Sequence, residues 1–312
     1  MTNASPIAIV RTDRLGDMVL TLPMAAALRT LCPDRRIVVA ARRYVQPLLE
    51  CVDVVDDAIY VDDGPEALRH GLRRHGVTTA FFPRARPEEA WQALRAGVRQ
   101  RIGTAYRWYS PLLYTQRIHD HRKHGQHHEA EYNVRMVAQY LGIETPPVRL
   151  VQPHLGTASV RLAHNTVILH PGSGGSTHTW PVERMAQLAR LISDAGMHVA
   201  ITGTLAESHL ANVILATCPS AQNLCGLFSL GELIPVIAQA CAIVANGTGV
   251  LHLAASIGIP VVGIFPHSPA LGAHRWGPYT NRRVVVEPPT GGSVHDITAQ
   301  DTLSAVQRAL LL

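Results

Sequence analysis

Lysine is almost missing from this chain of 312 residues: Lys123 is the only one, so nearly all of its 28 basic residues are arginine. A Walker A phosphate loop needs Gly-Lys-Ser/Thr, and Lys123 stands in His-Arg-Lys-His. Charge is sparse too, at 16% against 47% hydrophobic residues. That balance describes a globular protein with a sizeable core and not a disordered chain. Long apolar runs are also lacking. The longest, residues 242–265, is broken by Asn246, Gly247, Thr248, Gly249, His252, Gly258 and Pro260, so it is no membrane span. The opening MTNASPIAIVRTDR turns polar early and does not fit a secretory signal, so residence in the cytoplasm is expected. Five cysteines without CxxC spacing are expected to be buried free thiols of a reducing compartment.

The length suits two domains of roughly 150 residues each. Short apolar segments at residues 7–10, 36–41, 58–61 and 79–83 alternate with helix-like stretches such as 18–31 and 64–75. The rhythm returns at 166–170, 198–203, 242–246 and 260–265, with helices near 181–196, 205–217 and 249–257. Apolar strands separated by helices predict parallel sheets covered on both faces, a doubly wound α/β architecture. Residues 144–165 carry three prolines and weak periodicity and read as a linker. The domains are therefore set at 1–153 and 154–312, facing a central cleft at their strand ends. The last helix, 298–312, is structural and is free to pack back on the first domain.

Four segments carry candidate chemistry. In IVRTDRLGDMVLTLP, residues 9–23, a strand ends at Arg11 and a loop delivers Gly16 and Asp17 to a helix start. Asp17 there is either a helix cap or a catalytic carboxylate. In HPGSGGSTHTWPVERM, residues 170–185, Ser173, Gly174, Gly175, Ser176, Thr177 and His178 form a turn before a Pro-initiated helix. Such a turn is an anion cradle of backbone amides, although it lacks a proper GxGxxG. In ITGTLAESHL, residues 201–210, Thr204 and Glu207 sit in a strand-to-helix turn. Glu207 either holds ribose hydroxyls or complements the helix dipole. In VANGTGVLHLAASIGIPVVGIF, residues 244–265, Asn246, Gly247, Thr248 and Gly249 offer a second amide turn suited to a diphosphate. His252 beyond it is either a ligand contact or a core histidine.

Residues 84–135 hold nine arginines and Lys123 against five acids, a local excess of +5 equal to that of the whole chain. Such density attracts polyanions or is a solvated surface. Arg84, Arg86 and Arg122 in this segment, with Arg11 and Arg14, are the candidates for contacting an anionic acceptor. Five histidines between His119 and His128 match no closed zinc pattern. They are expected in a mobile basic loop at the cleft edge, and no metal site is expected.

Taken in order, RTDRLGDMVLTLP, HPGS…WP, TGTLAE and NGTGVLHLAASIGIPVVGIF resemble the heptosyltransferases of glycosyltransferase family 9 along nearly the whole chain. HHEAEYNVRMVAQYLGI, residues 127–143, resembles the stretch that closes that family's first domain. The resemblance implies a GT-B fold of two Rossmann-like domains, the first binding acceptor and the second nucleotide sugar. It implies metal-independent inverting transfer, typically from ADP-heptose to the lipopolysaccharide inner core, with no cofactor beyond that donor. It places the general base on Asp17 and the ribose contact on Glu207. Two departures stand out. Where the family often has a lysine before Trp-Pro, this chain has His178 and Thr179, and Gly247 stands where a carboxylate often stands. Expected partners are the donor, an anionic glycan or glycolipid, and the inner face of the cytoplasmic membrane, with no nucleic acid. The competing readings are a heptosyl-type transferase with another acceptor, a sugar-nucleotide epimerase or hydrolase, a nicotinamide oxidoreductase, and a non-enzymatic glycan binder.

Overall fold

The computed structural model describes residues 5–122, 125–175 and 179–312. The chain divides into two compact units, Met1–Val151 and Gln152–Leu312. Unit 1 runs β1 (Ile7–Val10), α1 (Leu15–Val19), α2 (Leu22–Leu31), β2 (Ile37–Ala41), α3 (Gln46–Glu50), β3 (Asp57–Tyr60), α4 (Pro65–Arg74), β4 (Thr79–Phe81), α5 (Pro87–Ala96), β5 (Gln100–Thr104), α6 (Ser110–Leu113), β6 (Gln116–Ile118) and α7 (Glu129–Leu141). Unit 2 runs β7 (Thr166–His170), α8 (Val182–Asp194), β8 (His198–Ile201), a 3-10 turn (Leu205–Glu207), α9 (Ser208–Thr217), β9 (Gln222–Asn223), α10 (Leu230–Ile237), β10 (Ala242–Asn246), α11 (Gly249–Ile257), β11 (Val261–Ile264), α12 (Ala273–Trp276), β12 (Arg283–Val286) and α13 (Ala299–Ala309).

Each unit holds a six-stranded sheet, ordered β3-β2-β1-β4-β5-β6 and β12-β11-β10-β7-β8-β9. Every pairing is parallel. The alternation of side chains along a strand divides the apolar residues between two faces. Ala8 and Val10 join Leu68 and Leu72 of α4 and Ala90 and Ala93 of α5 in one core cluster. In unit 2, Val167, Leu169 and Val244 pack with residues of α8, α9 and α13. The last helix thus packs against α8 and the sheet of its own unit.

In both sheets the strand order reverses beside the first strand of the unit, between β1 and β4 and between β7 and β10. Loops diverge at such a switch point, and ligands of doubly wound proteins bind there, beyond the strands' carboxyl ends. The loops after β1, β4, β7 and β10 hold most of the expected site residues.

The structure departs from the expected elements at several places. The helix expected over 18–31 is two helices, with Leu20 and Thr21 between them and Pro23 in the first turn of α2. A proline is tolerated there because the first helical amides lack partners anyway. The strands β5 and β6 carry the polar sequences QRIGT and QRI and were not anticipated. Among the described residues the five cysteines are free, Cys218 and Cys225 buried and the other three partly so. No helix among the described residues is long and apolar enough to cross a membrane.

Candidate active site

In unit 1 the chain leaves β1 and places Arg11 at the centre of a ring of acids. The guanidinium is 3% exposed. Its Nε donates to Asp13 Oδ1 at 2.8 Å, Nη2 donates to Asp17 Oδ1, and Nη1 lies 3.6 Å from Glu129 Oε1. Arg122 donates to the same Glu129 oxygen and to Asn133 Oδ1 at 3.0 Å. The Asn133 amide in turn donates to Leu20 O at 2.8 Å, tying α7 to the break between α1 and α2. Arg84, after β4, reaches Asp13 Oδ2 at 3.1 Å and so bridges the switch point.

Asp17 is not the helix cap. The cap residue of α1 is Arg14, and the Asp17 side chain points to Arg11 from the first turn. It keeps 18% exposure. Burial raises its pKa above the ordinary carboxylate value; Arg11 pulls it back, and Asp13 and Glu129 push it up again. A carboxylate that is buried, held and more basic than usual is suited to accept a proton. Glu89 on α5, which the sequence did not single out, is a second such group. Burial raises its pKa, opposed by the hydrogen bond it accepts from Thr12.

The five arginines expected to meet an acceptor divide. Arg11 is a correction: enclosed by three carboxylates, it is a structural cation and not a surface one. Arg122 is another, since Glu129 and Asn133 hold it. Arg14 is exposed, Arg86 is only loosely paired with Glu89 at 3.9 Å, and Arg84 is 47% exposed beside Asp13. The histidines expected in a loop lie in the connection from β6 to α7: the His121 ring lies 4.1 Å from Tyr106, His127 meets Tyr132 edge-on at 5.4 Å, and His128 caps α7, while His124 lies outside the described residues. Among the described residues no group of three or more His, Cys, Asp or Glu is placed to hold a metal ion.

In unit 2 the loop after β7 passes through left-handed glycines, Gly174 (φ 52°) and Gly175 (φ 71°), where side chains are disfavoured. Glu207 supports this loop from below. Its Oε2 accepts the Thr204 amide (2.9 Å) and hydroxyl (2.8 Å), and the Gly174 amide also bonds to the carboxylate. A Cβ on Gly172 would collide with that carboxylate. Burial pushes the Glu207 pKa up, but these hydrogen bonds outweigh it and hold the group below its usual value. The Gly175 amide is taken by Ser173 Oγ at 3.3 Å. The amides of Gly174 and Gly175 are therefore turned inward, contrary to the expectation of an open cradle. Ser176, Thr177 and His178 lie outside the described residues. Helix α8 begins only at Val182, after Pro181, so the glycine turn does not open it directly.

Asn246, expected at the donor, is instead a buried brace across the switch point. Its Oδ1 accepts the Trp180 amide and its Nδ2 donates to Pro171 O, both at 2.9 Å. Gly247 has no room for a side chain, because a Cβ there would lie 2.6 Å from the Phe265 ring. Thr248 caps α11 without a side-chain capping bond, and its buried hydroxyl has no partner among the described residues. It precedes Gly249 and the free amides of the helix N-terminus. His252 is buried on α11. His170, at the end of β7, shares a 3.0 Å hydrogen bond with Thr202, and burial lowers its pKa so that it is neutral. Arg184 donates to Gln187 on its own helix at 3.2 Å. Leu205 and Leu227, both strongly exposed and not foreseen, flank the linked turns where the Gly226 amide meets Gly203 O at 2.9 Å.

The sequence profile of glycosyltransferase family 9 (heptosyltransferase) matches residues 67–306. The chain belongs to that family. This family 9 glycosyltransferase is 27% identical to lipopolysaccharide heptosyltransferase 2 of Salmonella typhimurium, over 98% of this chain and 94% of the relative. It is 27% identical to the Escherichia coli protein of the same name, over 84% and 83%. Its fold superposes on the solved structure of E. coli ADP-heptose LPS heptosyltransferase II with a TM-score of 0.84, 24% identity and 98% coverage of both chains. The two parallel six-stranded sheets and that superposition make the fold GT-B.

Proposed function

We propose that this glycosyltransferase moves a heptose from ADP-heptose to a hydroxyl of the anionic lipopolysaccharide inner core, with inversion and without a divalent metal. The observation that carries the reading is Asp17, a raised-pKa carboxylate anchored by Arg11 beyond β1 and still open to solvent. Asp17 takes the proton of the acceptor hydroxyl as that oxygen bonds to the anomeric carbon. The bond from this carbon to the diphosphate breaks, and the nucleoside diphosphate leaves with the electron pair. A positioned base contributes about 10²- to 10⁴-fold to such a step.

Unit 2 supplies the donor site. The unpartnered Thr248 hydroxyl and the α11 amides meet the diphosphate and stabilise its growing charge. The exposed Leu205 and Leu227 give the nucleotide base an apolar ledge. With lysine missing before Trp180, the resemblance puts His178 in the place of the donor-side cation. The relatives' names support the heptose and the lipopolysaccharide acceptor.

The test is Asp17→Asn, assayed with ADP-heptose and inner-core acceptor in EDTA. Turnover should fall at least about 100-fold while donor binding and melting temperature stay near those of the parent. Normal turnover in the variant would remove Asp17 as base. Parent activity that vanishes in EDTA and returns with magnesium would remove the metal-free mechanism.

A further inference from the structure

The most exposed large apolar side chain of unit 1 lies in the loop that leaves β5, on the same carboxyl edge of the sheet as Asp17. Trp108 is 84% exposed and Leu112, four residues on, is 73% exposed. The loop that presents them is firmly built. Ser110 Oγ donates to Thr104 O at 2.6 Å, and the buried Tyr109 ring meets Trp108 edge-on at 5.6 Å. The Arg101 guanidinium holds Leu113 O at 2.7 Å and Val98 O at 2.6 Å. Helix α5, packed on α6, adds the exposed Trp91 and Leu94, one turn apart on one face.

The charge along this stretch of the chain has one sign. Residues 90–119 contain five arginines and no carboxylate. Arg101 is consumed by backbone carbonyls, but Arg95, Arg99, Arg107 and Arg117 are exposed and have no acidic partner among the described residues. The exposed acid nearest in sequence is Glu88, in the first turn of α5. Exposed tryptophan and leucine in a stretch of exposed, unpaired arginine match a membrane interface: the apolar groups enter the headgroup boundary and the guanidiniums meet lipid phosphates. A sugar platform would pair the tryptophan with hydrogen-bonding side chains and would gain little from two leucines.

We propose that Trp108 and Leu112, with Trp91, Leu94 and the four free arginines, form the seat by which unit 1 docks on an anionic lipid bilayer. This deepens the function proposed above, whose acceptor is lipid-linked, but its test needs no turnover. Purified full-length protein is sedimented with vesicles of phosphatidylethanolamine and phosphatidylglycerol, and with vesicles of phosphatidylcholine alone. The parent should bind the first and not the second, with binding weakened by salt. Trp108→Ser with Leu112→Ser should cut binding at least about tenfold. Arg99→Gln and Arg107→Gln should each cut it about fivefold. Melting temperatures should hold, since these side chains are exposed. The kcat/KM for a delipidated, water-soluble acceptor should also be unchanged in the serine variant. No vesicle binding by the parent, or equal binding by parent and serine variant, overturns the proposal. So does a raised KM for the delipidated acceptor with unchanged vesicle binding, which would make the patch a glycan platform. Vesicle binding without heptose transfer would instead remove the proposed function and leave the seat standing.

Discussion

Replacing Arg11 by methionine keeps much of the side chain's length and removes only the charge at the centre of the unit 1 site. Asp13 would retain Arg84 and Glu129 would retain Arg122, but Asp17 would lose the cation that holds it. Removing one partner of a buried ion pair costs about 3–5 kcal/mol, because the other charge stays buried. For a unit of this size that lowers the melting temperature by about 10 °C. The loss depends on pH. Asp17 already titrates above the ordinary carboxylate range, so over that window the native state holds a proton that the unfolded chain has released. Stability therefore falls as pH rises through the window. Without Arg11 the native value climbs further, because the cation that favours the charged carboxylate is gone while the burial that opposes it stays. The deficit should be small near about pH 5 and should grow toward about pH 8, as urea unfolding of parent and variant would show. The acid limb of kcat/KM should move to higher pH in parallel. A variant within about 1 kcal/mol of the parent at both pH values, or a deficit that ignores pH, would refute the assignment of Arg11 as the counter-charge of Asp17.

Three further outcomes follow from the geometry. Gly247→Ala drives a methyl into the Phe265 ring and should cost about 1–3 kcal/mol, with Phe265→Leu restoring most of it; an additive double variant would deny the contact. Asn246→Ala strands the Pro171 carbonyl and the Trp180 amide, so stability should drop by about 1–3 kcal/mol per lost partner and donor affinity should drop with it; unfolding and donor titration read the two effects. Arg84→Ala should raise the acceptor KM with little change in melting temperature, whereas Arg122→Ala should lower the melting temperature through the stranded Glu129; the reverse pattern would reassign both residues.

What the sequence disclosed depended on how far apart the cooperating residues lie. The segment ending at Arg11 and the turn carrying Asp17 are contiguous, so strand, loop and helix start were all legible there. Apolar runs such as AIVAN and TVILH announced β10 and β7 directly. QRIGT did not announce β5, because its outer positions are polar and the strand is held by its neighbours β4 and β6 rather than by its own composition. Roles failed to show wherever a partner comes from elsewhere in the chain. Arg11 read as a surface cation because Glu129 is remote from it in sequence; Arg122 stands only seven residues before Glu129, but the irregular connection between them has no period that announces the pairing. Asn246 read as a ligand contact because Pro171 and Trp180, its partners, stand beyond another strand of the sheet. The error at Asn246 has a plain physical origin. At a switch point the two strands side by side are distant in sequence, so polar groups at their ends pair first with each other, and the residues that face a ligand are those left over. In unit 1 the groups that still reach solvent are Asp17, Arg14 and Arg84, and in unit 2 the Thr248 hydroxyl before α11 has no partner among the described residues.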